Sequence, residues 1–217
     1  MKKLIKVMIV MSCVFLTFGC TNSKEESQPN NTNTSQGGSE ESQVTPANSK
    51  YIEGWNEQRE LLDGCGYTFL VPSNATGYQY FSNCNTFDFD TKNSQLEVRV
   101  LFNSVTNFDN PNADLKNINS QTRGLRDFNL SNIFSNDGNV QYNDNFVQVN
   151  AAGHEALLDK GIAKDSSGDL FNYAIYQLYF GEEKDGVVEL LVGSKNVESD
   201  ELAEIGEELI ATIQPEE

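Results

Sequence analysis

The sequence predicts an α+β domain, a mostly antiparallel sheet covered by helices on both faces. Three observations carry that expectation. Phe87 and Phe89 alternate with Asp88 and Asp90, and Leu96, Val98, Val100 and Phe102 alternate with Glu97, Arg99, Leu101 and Asn103; the two runs flank the polar stretch Thr91-Lys92-Asn93-Ser94, as in a half-buried hairpin. Leu170 to Phe180 is apolar or aromatic on both alternating faces, with Ala174, Tyr176, Leu178 and Phe180 on one and Phe171, Tyr173, Ile175 and Tyr179 on the other, which only a strand covered on both sides requires. Leu202, Ile205, Leu209, Ile210 and Ile213 recur at helical spacing behind Asp200 and Glu201, whose carboxylates favour a helix N-terminus.

In chain order, Lys2, Lys3 and Lys6 precede the uncharged apolar run Val7 to Phe18. That run is shorter than the roughly 20 residues a spanning helix needs, so residues 1–19 read as a secretory signal peptide. Residues 21–50 are almost wholly Ser, Thr, Asn, Gln, Glu, Gly and Pro, too polar to offset the entropy of ordering. They are expected to form a disordered tether with a reach on the order of 30 Å. Tyr67 to Val71 is a strand closed by the turn Pro72-Ser73-Asn74. Asn110-Pro111 reads as an N-cap and first helical residue, followed by Leu115, Ile118, Thr122 and Leu125. A polar loop then leads to strands at Phe146 to Val149 and Ala156 to Ala163, interrupted at Gly153. The long aromatic strand turns through Glu182 to Gly186 into the apolar strand Val187 to Val192. Residues 51–217 are thus expected to make a single globular domain.

Charge excludes one class outright. The 217-residue chain is formally −17, and residues 51–217 hold ten Lys and Arg against 28 Asp and Glu. A nucleic-acid binder resting on a basic surface is excluded, because cations neutralising phosphates supply most of that affinity.

Leu16-Thr17-Phe18-Gly19-Cys20 resembles the lipobox of bacterial lipoproteins, with Thr17 where that family prefers Leu. The resemblance implies a diacylglycerol on Cys20 and a lipid-anchored location on the extracytoplasmic side of the cell membrane. The strand Tyr67 to Pro72, the hairpin to Phe102, Gly153-His154-Glu155-Ala156, the aromatic strand with its partner, and Leu209-Ile210-Ala211-Thr212-Ile213 follow the element order of the PsbP-like superfamily. Over roughly residues 66–214 this resemblance implies an α/β/α sandwich that acts by binding other proteins.

No residue pattern names a reaction. His154 is the lone histidine and has no G-x-S-x-G phrase or metal-ligand spacing beside it, so it reads as structural and no catalytic residue, metal or cofactor is expected. Oxygen-rich stretches such as Asp88, Asp90, Asn93 and Glu97 do not match the twelve-residue calcium loop. Cys65 and Cys84, the cysteines left after Cys13 is removed and Cys20 acylated, are expected to form a disulfide in an exported domain. The rival reading is two buried free thiols. Trp55 is a candidate partner contact, since large aromatics dominate interfaces. The expectation is therefore a membrane-anchored, non-enzymatic module for a protein or envelope partner. A small-ligand or cation-binding lipoprotein and an anchored hydrolase stand as alternatives.

Overall fold

The structure is a computed structural model and describes residues 49–62, 65–81, 83–92, 97–105, 118–135, 140–179 and 187–216. The signal peptide, Cys20 and the tether up to residue 48 lie outside the described residues. Among the described residues, ten strands and two α-helices follow in order: β1 (Trp55–Leu62), β2 (Tyr67–Pro72), β3 (Thr76–Phe81), β4 (Cys84–Asp90), β5 (Glu97–Val105), α1 (Ser120–Leu130) running into a single π-helical segment (Ser131–Ser135), β6 (Val147–Ala151), β7 (His154–Lys164), β8 (Leu170–Tyr179), β9 (Val187–Ser194), α2 (Ser199–Ile210) and β10 (Gln214–Pro215).

Seven strands form one antiparallel sheet in the order β3-β4-β5-β9-β8-β7-β6. The expected hairpin is β4–β5, with Phe87 opposite Val100 and Phe89 opposite Val98. β2 does not join this sheet. It forms a second, three-stranded sheet with β1 and β10, in the order β1-β2-β10. The sequence reading missed β1, because only Leu62 of Trp55–Leu62 is fully buried and the strand shows no alternation.

Alternation along the central strands sorts their side chains into separate clusters. Phe87, Val100, Leu190, Tyr176 and Leu158 join Leu202, Ile205 and Leu209 of α2 in the largest one, which also takes in Phe69 and Val71 of β2. Leu101, Leu191, Tyr173 and Ile175 join Leu130 of α1 and Phe134 of the π-helical segment. Adjacent residues such as Leu190 and Leu191 therefore fall in different clusters, and the two-sided pattern of β8 is distributed as the sequence predicted over residues 171–179, Phe180 lying outside the described residues.

The expected helix start at Asn110-Pro111 and its Leu115 lie among residues 106–117, outside the described residues; the described helix α1 begins after its N-cap Asn119 and carries the expected Thr122 and Leu125. The helix continues to Leu130 and on into Ser135, through part of a stretch expected to be loop. Ser49 and Lys50, at the end of the expected tether, are already held to α2. Ser49 Oγ donates to Glu208, and Lys50 Nζ donates to Glu204 Oε2 at 2.6 Å.

Candidate functional site

A capping box sets the start and rotation of α1. Asn119 Oδ1 accepts from the Gln121 and Thr122 amides at 2.8 and 3.2 Å, while Thr122 Oγ1 accepts from the Asn119 amide at 3.0 Å. Thr122, Arg126, Asn129 and Leu130 then face the sheet, three of these four being polar, and Phe128 is left 59% exposed.

Beneath them, register places Asn103, Glu189 and Gln177 in one row across β5, β9 and β8. All three are buried, Glu189 and Gln177 completely. Asn129 Nδ2 donates to Glu189 Oε1 at 2.6 Å, Gln177 Nε2 donates to Glu189 Oε2 at 2.5 Å and to the Thr122 carbonyl at 2.7 Å, and Asn103 Nδ2 donates to Asn129 Oδ1 at 3.1 Å. Burial pushes the Glu189 carboxyl up to about 7, against the opposing pull of Gln177 and Asn129.

One turn along α1, Arg126 donates to Asp159 and Asp144 at 2.8 Å each and to Asp127 at 3.0 Å. Its guanidinium carbon lies 4.4 Å from the centre of the Tyr142 ring and 4.9 Å from that of Phe146. Burial disfavours the Arg126 cation, but Asp159 and Asp144 more than offset it, so its pKa is raised. Burial likewise pushes the Asp159 carboxyl up, with Arg126 opposing. This cluster clamps α1 to β7. It contains no nucleophile held by a base, and among the described residues no three His, Cys, Asp or Glu side chains converge as metal ligands would.

Where α1 ends, the sheet is left partly uncovered and a groove of about 750 Å³ opens between the β3–β5 strands and the helix. Gln79, Thr86, Asp88 and Arg99 line its sheet side, and Phe128 and Ile133 its helix side. Arg99 is held by Glu97 at 3.2 Å and by Asp88 at 3.5 Å. β3 is an edge of the large sheet, and its sequence TGYQYF carries neither charge nor proline. Tyr80 stands 48% exposed on it, and the Tyr78 hydroxyl lies 2.9 Å from Glu60 Oε2 and 2.7 Å from Asn85 Oδ1, its one proton shared between them.

The residues singled out from sequence fall elsewhere. Cys65 and Cys84, expected to pair, are not joined by a disulfide. Cys65 belongs to the cluster under α2 and Cys84 packs on the cluster under α1, because β4 turns Cys84 to the same side as Thr86 and Asp88. Burial pushes the Cys84 thiol up to about 11, so it is a weak nucleophile. Trp55 opens β1, opposite Pro72, and is half-buried against the larger core. His154 opens β7 opposite Ala151, half-buried, and burial holds its imidazole below the usual range. Sequence reasoning overlooked Glu189 and Gln177. The available signal was a lone Glu inside the apolar run of β9 and a lone Gln inside that of β8.

No family model and no curated protein matches the chain. Among solved structures it is similar to the Ran-binding protein Mog1p of Saccharomyces cerevisiae, with 8% identity over 76% of this chain and 97% of that one and a TM-score of 0.43. It is also similar to LpqN of Mycobacterium tuberculosis, described as involved in cell envelope biogenesis, with 13% identity over 68% of this chain and 82% of that one and a TM-score of 0.43. At these identities and scores the likeness carries nothing about partner or activity.

Proposed function

We propose that the chain is a lipid-anchored protein of the cell envelope, held on the extracytoplasmic side by acylated Cys20. Its folded part is a non-enzymatic binding module of the PsbP-like α/β/α type. The observation that carries the binding reading is the uncharged edge strand β3 beside the groove, with Tyr78 and Tyr80 on one side of it and Gln79 and the Phe128 wall on the other. An edge with these features suits an extended polypeptide segment added as a further strand, main-chain hydrogen bonds giving affinity and alternate side chains giving selectivity. Charge favours one kind of segment. Residues 51–217 are formally −18, and Glu60 stands beside Tyr78, so the complementary partner is a Lys- and Arg-rich strand of another envelope protein.

A photo-cross-linking residue at Tyr80 or Phe128, with Glu201 of α2 as the control, tests this in living cells. The expected result is one protein adduct shared by Tyr80 and Phe128 and absent at Glu201, mapping to a basic segment of the partner and weakened by rising salt. Equal adducts at Glu201, or adducts with lipid or glycan alone, would overturn it.

A further inference from the structure

Of the two carboxyls without any exposure among the described residues, Asp159 meets Arg126, whereas Glu189 meets only amides. The charged groups that α1 turns towards it do not neutralise it. Arg126 attracts it from a distance but already serves Asp159, Asp144 and Asp127, and Asp127 repels it. From β5 and β8 it faces the uncharged Asn103 and Gln177. A carboxylate in such surroundings is costly, and the usual resolution is to take up a proton.

The hydrogen-bonded row can also take that proton without losing a bond. Asn103 Oδ1 and Gln177 Oε1 are buried acceptors that receive no donor, and both belong to the row that contains Glu189. An ionised carboxylate only accepts, whereas a carboxylic acid adds one O–H donor. With the Asn129 and Asn103 amides turned end for end, a protonated Glu189 donates to Asn129 Oδ1 and Asn129 Nδ2 donates to Asn103 Oδ1, so the row takes the proton with the same number of hydrogen bonds, Asn103 Nδ2 then holding the unpartnered place.

We propose that Glu189 is a proton-operated latch for α1: its proton keeps the helix seated on β9, and loss of that proton favours a lifted state in which the carboxylate is hydrated and Phe128 leaves the groove wall. The latch requires no groove occupant, because it is built from α1, β5, β8 and β9 alone. Its sign follows from linkage. The carboxyl is raised in the seated state and ordinary in the lifted one, so stabilisation is complete below the usual glutamate range and is lost as pH rises towards about 7.

Hydrogen exchange of the α1 amides in the full chain, corrected for intrinsic rates, reads the latch directly. The opening constant is expected to rise about tenfold per pH unit between roughly pH 5 and 7 and then level off, and to be flat in Glu189→Gln. The same slope in Glu189→Gln and wild type, or no slope in wild type, would overturn the proposal. Infrared spectra of wild type carrying ¹³C-carboxyl glutamate decide the matter even if the variant does not fold. A protonated glutamate band that outlasts the exposed carboxyls and fades towards neutrality is expected, and its absence in mildly acidic solution refutes the latch.

Discussion

Phe134 lies over Gly193 so closely that a Cβ at position 193 would stand 2.1 Å from its Cζ. The ring also stacks on Phe171, with centres 4.7 Å apart and planes 18° from parallel. A glycine in β9 thus lets the π-helical segment after α1 close onto the sheet. Gly193→Ala is expected to cost about 1–3 kcal/mol through overpacking. Gly124→Ala, in α1 with open space around it, is expected to gain up to about 1 kcal/mol. Urea denaturation of the two variants should therefore shift the midpoint in opposite directions.

Arg126 holds a fully buried carboxylate, so Arg126→Met is expected to be severe, about 3–5 kcal/mol, because it leaves Asp159 unpaired. Adding Asp159→Asn should recover part of the loss. A double-mutant cycle in urea measures the coupling, and a cycle that closes at zero would show that the pair does not hold α1.

Both cysteines of the folded part should react with an alkylating agent after denaturation without reductant, as two thiols not joined by a disulfide require. In the native protein Cys65, which is buried, should be protected, and Cys84 should react slowly because its thiol is pushed up to about 11. Intact mass with and without reduction is the check; a mass unchanged by alkylator until reductant is added would restore the disulfide.

The proposed anchoring is by Cys20. In Cys20→Ala, fatty-acid labelling should vanish and the protein should leave the membrane fraction or remain unprocessed. Full membrane retention of a correctly cleaved variant would place the anchor elsewhere.

His154→Ala should leave cross-linking from Tyr80 and Phe128 intact, since the imidazole lies at the start of β7 and outside the groove. Because burial lowers the imidazole, its protonation opposes folding. Stability tied to this residue is present above the ordinary histidine range of about 6.5 and declines as pH falls below it. The variant should flatten that acid limb in thermal melts, and an unchanged limb would assign it to other groups.

Local alternation determined much of this protein. The Phe87/Phe89 and Val98/Val100/Phe102 runs became the β4–β5 hairpin, the two-sided pattern of Leu170 to Tyr179 became the covered strand β8, and the spacing of Leu202, Ile205 and Leu209 became α2. Each of these follows from which side chains a single element turns towards the core, and that is written in neighbouring residues. Only the tertiary structure decided that β2 pairs with β1 and β10 outside the large sheet, that Cys65 and Cys84 part into different clusters, and that Asn103, Gln177 and Glu189 line up beneath Asn129. Those relations depend on register between strands far apart in the chain, and one polar residue in an apolar strand gives no sign of the helix that will cover it until that register is set.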